Sequence, residues 1–380
     1  MVNLLRYMPD YVKIDRSLIT DIQNSPQKQH FVKDIISFSH DNGILALAEG
    51  VETHDELRTV IKLGADLIQG YYTARPSATL LADTPDDIRR EIVELKKSAL
   101  SSSVGVYIPG RDGRVLLSKL EEEGTERISV SRKEMTFINF TVAGAPGMKS
   151  PVTIDVLNGY HGTITLENCG LGFSESESYG ISVAEGCAVT LVLTGHNYLK
   201  GGIYVAKGGS LNIEGDGTLE VQGKYEDCFG IGAGTDRECG SIVIDTAGVI
   251  SIKSKSSGGA AIGIGAGLGA EKLEIKHGKY EMLVKGESVV AIGALSSDDQ
   301  KLKISESDIN VELQGEKLCG IGCLSGRAEM VFENSQISFS VCGDGVLMGS
   351  MDGSSVLSET GCSIAHTVEC GNTVVYGVTR

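Results

Sequence analysis

The 380-residue chain contains no tryptophan, only seven prolines and 5 % aromatic residues. With so few aromatic side chains, the protein has few rings on which bound sugars could stack. The 34 lysines and arginines are outnumbered by 50 aspartates and glutamates, which gives a formal charge of −16. A nucleic-acid-binding surface needs clustered positive charge to neutralise phosphates, so this balance argues against one. No apolar run approaches the roughly 20 residues that cross a bilayer, and the residues after Met1 do not resemble a signal peptide. We therefore expect a cytoplasmic protein without a membrane span.

Glycine and cysteine are the residues whose distribution is informative. The 49 glycines predict many tight turns. All nine cysteines lie at or beyond Cys169, and an odd number in a chain without an export signal favours free thiols over a disulfide framework. Cys319 and Cys323 are four residues apart, but no second pair at metal-ligand spacing accompanies them. We therefore expect the cysteines to act as small buried hydrophobic residues.

The first 100 residues alternate between strand and helix patterns. Apolar runs at 11–14, 44–48 and 67–68 predict three short strands. Pro26 follows a capping serine, and Thr53 and Glu56 form a capping box, so helices are expected to begin at both places. Such alternation is typical of parallel βαβ units. Three strands make a poor parallel sheet by themselves, so this segment is predicted to be part of a larger fold.

From about residue 180 a repeat replaces the helical pattern. Its marker is a Gly-Ile-Gly sequence or a variant of it, which recurs at steps of 22 to 33 residues. The markers are Gly180-Ile181, Gly202-Ile203, Gly230-Ile231-Gly232, Gly263-Ile264-Gly265, Ala291-Ile292-Gly293, Gly320-Ile321-Gly322, Met348-Gly349 and Tyr376-Gly377. Each unit contains three short alternating runs that are separated by glycine or Asp/Asn/Ser clusters. This pattern predicts a parallel β-helix of about seven coils with three strands per coil, right-handed by the general rule for parallel crossovers.

Three motifs in the first 76 residues occur in the order and at the intervals of a known family. They are Lys13-Ile14-Asp15-Arg16-Ser17, then Ala48-Glu49-Gly50-Val51-Glu52-Thr53, and then Gln69-Gly70-Tyr71-Tyr72 followed by Arg75-Pro76. Together they resemble the second half of the EAL domain, the barrel phosphodiesterase family that opens cyclic di-GMP. The predicted fold is therefore mixed, with a partial β/α (TIM-type) barrel at residues 1–100. Residues 101–150 are expected to link it to the β-helix and to cap that domain, which occupies residues 151–380.

The resemblance implies a set of site residues. Lys13 and Glu49 match catalytic positions, where the lysine stabilises negative charge on the phosphate and the glutamate acts as a base or orients its neighbours. Gln69, Glu52 and Pro76 match the part of the family's site that holds the nucleotide. In a β/α barrel such residues gather at the carboxyl ends of the strands. The structural alternative is that Lys13 is only a solvated strand-end lysine and that Glu49 only accepts loop amides.

Several parts of the family's site are not found in this sequence. The EAL signature, the asparagine and glutamate metal ligands that follow it and the Asp-Asp pair are missing. The resemblance implies Mg²⁺ or Mn²⁺, which needs several oxygen ligands, whereas only Glu49 and Asp15 are carboxylates expected near that place. We therefore expect this chain to be inactive by itself. It is either a piece of a longer phosphodiesterase or a half-domain with a structural or docking role.

Three functions remain open after this comparison. The first is cyclic di-GMP signalling, with cyclic di-GMP as the ligand once the barrel is completed. The second is a non-enzymatic interaction protein whose β-helix surface binds an unidentified ligand or protein. The third is a polysaccharide-active enzyme, which a β-helix permits but does not imply. Five aspartates in or near predicted turns are candidate acids for that chemistry, but turn aspartates usually cap the local backbone. They are Asp227, Asp236, Asp299, Asp344 and Asp352.

Overall fold

A computed structural model describes most of the chain. The described residues are 9–41, 44–75, 84–101, 106–107, 113–131, 139–157, 159–174, 179–223 and 228–377. They divide into two compact units, Met1–Val106 and Tyr107–Arg380. In the described residues no helix is both long and apolar enough to cross a bilayer.

The first unit is built from βαβ units, as the sequence predicts. Its elements are β1 (Tyr11–Ile14), α1 (Arg16–Ile19), a 3₁₀ turn (Ile22–Asn24), α2 (Pro26–Asp41), β2 (Leu45–Glu49), α3 (His54–Leu63), β3 (Leu67–Gln69) and α4 (Asp86–Ser101). The three strands form a parallel sheet in the order β1-β2-β3. Among the described residues no further strand pairs with the outer edge of β1 or of β3. This is the arrangement expected of part of a barrel.

A small core holds this sheet to its helices. Strands β1 and β2 contribute the buried side chains of Ile14 and Ala48. Helix α2 contributes Ile36, and α3 contributes Leu57 and Val60 on one side of the helix. Helix α3 has the capping box expected at Thr53 and ends at Gly64, whose φ of +97° a residue with a side chain rarely adopts. Both helix boundaries therefore follow from local sequence chemistry.

The second unit is a β-solenoid of about nine turns over residues 114–376. Strand β4 (Val106–Tyr107) lies at the boundary of the two units. The first turns of the solenoid contain β5 (Arg114–Leu116), α5 (Leu117–Glu122), β6 (Arg127–Ser131), β7 (Asn139–Ala143), β8 (Thr153–Leu157), β9 (His161–Glu167) and β10 (Gly170–Leu171). The middle turns contain β11 (Ile181–Val183), β12 (Ala188–Thr194), β13 (His196–Lys200), β14 (Ile203–Val205), β15 (Ser210–Gly215), β16 (Thr218–Gln222), β17 (Cys228–Gly232), β18 (Cys239–Thr246) and β19 (Val249–Lys255). The last turns contain β20 (Ala260–Ala266), β21 (Ala270–Lys276), β22 (Lys279–Lys285), β23 (Ser288–Ser305), β24 (Asp308–Glu333), β25 (Gln336–Thr360), β26 (Ser363–Cys370) and β27 (Thr373–Gly377).

The predicted β-helix is confirmed, but its predicted size of about seven coils is too small. The difference arises before residue 151, where β5, β6 and β7 pair in parallel with β7, β8 and β9. These strands already belong to the stack, although their sequences lack the glycine–isoleucine marker. Helix α5 buries Leu117 and Leu120 against the core in the first turn.

The apolar core consists of side chains stacked in register from turn to turn. One column runs along the first strand of every coil, and nearly all of its members are fully buried. Its members are Ile128, Ile154, Ile181, Ile203, Ile231, Ile264, Ile292, Ile321, Met348 and Tyr376. Each turn therefore covers the apolar face of the turn before it, as a solenoid requires.

A column of glycines follows the isoleucine column and explains the repeated marker. Five successive turns place a glycine at φ between +120° and +137°. These residues are Gly232, Gly265, Gly293, Gly322 and Gly349. A Cβ atom on Gly293 would lie 1.8 Å from the carbonyl oxygen of Gly322. Only glycine combines this backbone conformation with so close an approach.

The cysteines differ in part from the sequence expectation. Cys342 and Cys370 form a disulfide between neighbouring turns, so the expectation of free thiols is wrong for this pair. The other seven cysteines, all among the described residues, are free. Cys319 packs in a small cluster with Val290 and Val346, whereas Cys323 belongs to the main core. Burial raises the pKa of both thiols.

Candidate functional site

The ends of the three parallel strands bring together the residues singled out by the resemblance. Lys13 precedes the last residue of β1, Glu49 ends β2 and Gln69 ends β3. The sheet register places Glu49 beside Gln69 and Ile14 beside Ala48. Because the strands are parallel, all three side chains lie at the same edge of the sheet. This is the edge where β/α barrels carry their chemistry.

Two ion pairs connect the first strand and its following turn to the second. The Nζ atom of Lys13 lies 2.9 Å from Oε1 of Glu49, and Nη2 of Arg16 lies 2.9 Å from Oε1 of Glu52. The side chains of Lys13 and Glu49 are 49 % and 35 % exposed. An exposed pair of this kind contributes at most about 1 kcal/mol to stability. The cation of Lys13 is therefore accessible to an anionic ligand at little structural cost.

Two glycines allow the loop after β2 to pack against the end of β3. Gly50 has a φ of +77°, and a Cβ atom there would lie 2.5 Å from Cγ of Arg16. The amides of Gly50 and Val51 both donate to the carbonyl oxygen of Gln69, at 2.6 and 3.2 Å. A Cβ atom on Gly70 would lie 2.0 Å from the carbonyl oxygen of Val51. The glycines of the Glu-Gly-Val and Gln-Gly motifs are thus required for this close contact.

The buried carboxylate of Glu56 accepts hydrogen bonds from backbone amides in two segments of the site. It accepts hydrogen bonds from the amides of Glu52 and Thr53, at 2.8 and 3.1 Å, and from the amide of Asp21 at 2.9 Å. The sequence identifies Glu56 only as part of the capping box of α3. Its bond to Asp21, which is 35 residues away, fastens the turn after β1 to the loop that carries Glu52. The backbone of Asp21 is left-handed, with φ at +57°, and no motif in the sequence indicates its contact with Glu56.

The described carboxylates at this edge do not form a divalent-cation site by themselves. Oε1 of Glu49 is paired with Lys13, and Oδ1 of Asp15 accepts the amide of Ser17 at 2.8 Å as the N-cap of α1. Hydrogen bonding from Ser17 lowers the pKa of Asp15. Mg²⁺ and Mn²⁺ prefer octahedral oxygen coordination. In the described part of the chain no group of three His, Cys, Asp or Glu side chains is arranged to hold a metal ion.

The segment after β3 carries the remaining predicted positions. The guanidinium of Arg75 lies 5.6 Å from the centre of the Tyr71 ring, which is 53 % exposed. The Tyr72 hydroxyl donates to Oε2 of Glu91 in α4 at 2.9 Å. Burial, together with this bond, raises the pKa of Tyr72. Pro76, predicted as a substrate-binding residue, lies outside the described residues.

Three of the solenoid aspartates that are candidates for catalytic acids have polar partners close to them. Asp344 accepts the amide of Asn372 at 2.7 Å, and Asp299 lies 3.2 Å from the ammonium of Lys301. Asp236 lies 3.7 Å from Arg237. Asp352 pairs in register with Ser325, and Asp227 falls outside the described residues. Asp236 lies in the turn between β17 and β18, whereas Asp299, Asp344 and Asp352 lie within the long strands β23 and β25, so the expectation of turn positions is wrong for these three.

Comparison with known proteins finds relatives for the N-terminal segment. Residues 1–76 match the EAL domain family. Over 76 residues the chain is 34 % identical to the signaling protein YkoW of Bacillus subtilis, covering 19 % of this chain and 10 % of YkoW. It is 32 % identical over 76 residues to the probable cyclic di-GMP phosphodiesterase PdeN of Escherichia coli, covering 20 % and 15 %. Over 73 residues it is 37 % identical to the cyclic di-GMP phosphodiesterase NbdA of Pseudomonas aeruginosa, covering 19 % and 9 %.

These similarities are confined to a small part of each protein. The chain spans only about 10 to 15 % of the length of YkoW and PdeN. No solved structure matches the chain. The comparisons therefore support an EAL segment with cyclic di-GMP phosphodiesterase relatives at residues 1–76, and the solenoid is described by its structure alone.

Proposed function

We propose that this protein acts in cyclic di-GMP signalling, and that its N-terminal unit binds cyclic di-GMP weakly with one half of an EAL-type site. The observation that carries the proposal is the convergence of Lys13, Glu49 and Gln69 at one edge of a parallel sheet, inside the segment that matches the EAL family. The chain by itself does not hydrolyse the nucleotide.

Each residue has a role that its geometry supports. The half-exposed ammonium of Lys13 turns from Glu49 towards a phosphate of the ligand, where it compensates the negative charge. Glu49 keeps the lysine at the strand end when no ligand is bound. Gln69 and Glu52 face the nucleotide, and Pro76, which lies outside the described residues, is assigned to the same role by the resemblance alone. Arg16 restrains Glu52 through the second ion pair.

The proposed lack of hydrolysis follows from the small number of side chains that could ligate a metal ion. Glu49 and Asp15 are too few and already have partners, so the described residues do not fit the metal ion on which the family's reaction depends. We propose that the other ligands and barrel strands come from a further polypeptide segment, in the same or in another chain. The outer edges of β1 and β3, which pair with no further strand among the described residues, are the places for those strands.

Titration calorimetry of cyclic di-GMP into the 380-residue protein tests the proposal. Loss of a charged hydrogen bond is worth about 1.5–3 kcal/mol, so Lys13→Ala should weaken binding at least about tenfold. Glu49→Gln should bind as well as or better than the wild type, because it frees the lysine. Lys33→Ala on the exposed side of α2 is the matched control and should leave the affinity unchanged. Absence of binding, or equal affinity of the Lys13 and Lys33 variants, contradicts the proposal.

A second candidate is a non-enzymatic interaction protein that uses the solenoid surface. It is favoured by the extent of the solenoid, which covers residues 114–376. It is also favoured by the lack of sufficient metal ligands among the described residues of the candidate site. An absence of cyclic di-GMP binding would favour this candidate. Metal-dependent hydrolysis by the isolated chain that is lost in Lys13→Ala would exclude it, and would also overturn the proposed lack of hydrolysis.

A further inference from the structure

A straight groove runs along the outer face of the third strands in the middle and late turns of the solenoid. Strands β16, β19 and β22 pair in parallel with β19, β22 and β24, and β24 pairs in turn with β25. Burial alternates along each of these strands, so every second side chain points outwards. Two columns of outward side chains form the walls of this outer groove, whose volume is about 740 Å³. One wall consists of Glu220, Ser251, Glu281, Asn310 and Ser338, and the other of Lys253, Leu283, Glu312 and Ser340.

The walls of the outer groove are polar, but their charges are largely compensated. The Nζ atom of Lys253 lies 4.0 Å from Oε2 of Glu220, and that of Lys279 lies 2.8 Å from Oε1 of Glu281. Most of the other wall residues supply hydroxyl groups or a side-chain amide. Such a surface can accept and donate hydrogen bonds, whereas its carboxylates disfavour a polyanionic ligand such as a nucleic acid. The walls therefore suit a neutral ligand with many hydroxyl groups.

The floor of the outer groove does not suit a peptide strand, because its backbone groups already pair within the solenoid. The floor is the backbone around Ile252, Met282 and Val311, whose side chains are buried in the core. Strands β19 and β22 each pair with the turn before and the turn after them. An added peptide strand is held by main-chain hydrogen bonds to an exposed sheet edge, whereas the groove lies on the face of the sheet. Its ligand must therefore be recognised by the side chains of the walls.

An aromatic ring extends the first wall by one turn. Tyr198 pairs in register with Glu220, and its hydroxyl donates to Oε1 of Gln222 at 2.7 Å. The centre of the half-buried Tyr198 ring lies 4.9 Å from the centre of the Phe173 ring, and Nζ of Lys149 lies 5.1 Å from the latter. A tyrosine presents an apolar ring beside a polar tip. This end of the groove therefore offers a surface on which the C–H groups of a sugar can pack.

We propose that the outer groove binds a linear, neutral oligosaccharide lengthwise, and that a β-1,4-linked chain is its ligand class. Neighbouring strands are about 4.8 Å apart, so the five strands of the groove span about 20 Å. The rings of an extended β-1,4-linked chain repeat at nearly the same spacing, so each ring meets the hydrogen-bonding side chains of one turn. Hydrogen bonds from sugar hydroxyls to Glu220, Glu281 and Glu312, together with a sugar packed on Tyr198, supply the affinity. The small side chain of Ser251, between Glu220 and Glu281, leaves room for the chain.

Native affinity electrophoresis of the 380-residue protein tests this site. Hydroxyethyl cellulose and glucomannan in the gel are the β-1,4-linked probes, while dextran and heparin test for a differently linked chain and for a polyanion. The wild type should be retarded by at least one of the first two polymers and by neither of the others. Ser251→Arg fills the groove and should raise the dissociation constant at least about tenfold. Ser241→Arg is the matched control and should bind like the wild type, because Ser241 points outwards from β18, the second strand of its coil.

A second variant, Tyr198→Leu, keeps an apolar side chain but removes the ring, and should weaken binding at least about threefold. Circular dichroism melts establish which variants are folded, and Tyr198→Leu keeps the test decisive if Ser251→Arg does not fold. A wild type that neither β-1,4-linked polymer retards overturns the proposal, as does equal retardation by dextran or heparin. So does a folded Ser251→Arg or Tyr198→Leu variant that binds like the wild type, because the binding site would then lie elsewhere. None of these substitutions lies in the N-terminal unit, so every outcome is independent of cyclic di-GMP binding.

Discussion

At the scale of the residue, His277 shows how a single side chain connects successive turns. Its backbone is left-handed, with φ at +52°. Its Nδ1 atom lies 2.8 Å from Oδ1 of Asp245 in the preceding turn, and its Nε2 atom lies 3.1 Å from Oε2 of Glu306 in the following turn. Hydrogen bonding to Asp245, supported by the charges of both carboxylates, raises the pKa of His277 above its ordinary value of 6.5. The imidazolium thus bridges three turns.

This arrangement predicts a pH-dependent contribution to stability. Because the pKa of His277 is raised by folding, its contribution is fully present below about pH 6.5 and is lost as the pH rises through the folded-state pKa. His277→Asn keeps a residue that tolerates the left-handed backbone. The variant should melt below the wild type at acidic pH and together with it at high pH. Asp245→Asn removes the main cause of the raised pKa of His277 and should therefore reduce the pH dependence of the melting temperature. A difference in melting temperature that is constant from pH 5.5 to 8.5 would contradict the assignment.

At the scale of the structural element, the glycine column controls how the first strand of each coil bends. The five glycines share a φ that side chains rarely adopt, and the first four of them face the carbonyl oxygen of the glycine in the next turn. A Cβ atom on any of Gly232, Gly265, Gly293 or Gly322 would lie within 2 Å of that oxygen. The strands on both sides would have to separate to make room, which would break the register of the isoleucine column.

Replacing one member of the column tests this role. Gly293→Ala should destabilise the solenoid by on the order of 2–4 kcal/mol, because it adds both backbone strain and a steric overlap. Gly258→Ala is the control, since a Cβ atom at Gly258 meets no atom within 4 Å. That change should lie within about 0.5 kcal/mol of the wild type. Urea unfolding monitored by circular dichroism measures the free energy of unfolding of both variants. Equal midpoints for the two variants would refute the role of the column.

At the scale of the whole molecule, the two units have separate hydrophobic cores. The core of the first unit comprises residues from Ile14 to Ala65, and the main core of the second runs from Val115 to Met348. The first core is small, and its sheet has two outer edges without a partner among the described residues. In the solenoid every interior turn is covered on both sides. The two units therefore differ in the number of neighbours that stabilise each strand.

We expect the two units to unfold in separate transitions. Amides of β1 and β2 should exchange with solvent at lower denaturant concentrations than amides of β18 to β24, because the smaller core and the open edges stabilise them less. Hydrogen exchange read by mass spectrometry at increasing urea concentrations measures this directly. A single cooperative loss of protection in both units would contradict the expectation.

The sequence alone was sufficient for the β-helix from about residue 180 and for the βαβ pattern of the first unit, because that information is local and periodic. The Gly-Ile-Gly marker or a variant of it recurs with each coil from about residue 180, and the capping box at Thr53 and the glycine at position 64 mark the ends of α3. The motif spacing placed Lys13, Glu49 and Gln69 at three strand ends. All of these signals come from residues close to each other in the chain, where backbone conformation and the periodicity of burial decide the outcome.

Only the tertiary structure decided which distant groups meet. The bond from Glu56 to Asp21, the ion pair between Lys13 and Glu49 and the disulfide between Cys342 and Cys370 each depend on sheet register and loop path. The additional turns before residue 151 depend on pairing with later strands, since their own sequences lack the marker. Neither the composition nor the spacing of motifs determines the distance between residues that are remote in sequence. Packing and strand pairing supply that distance, and through it the geometry of the candidate site.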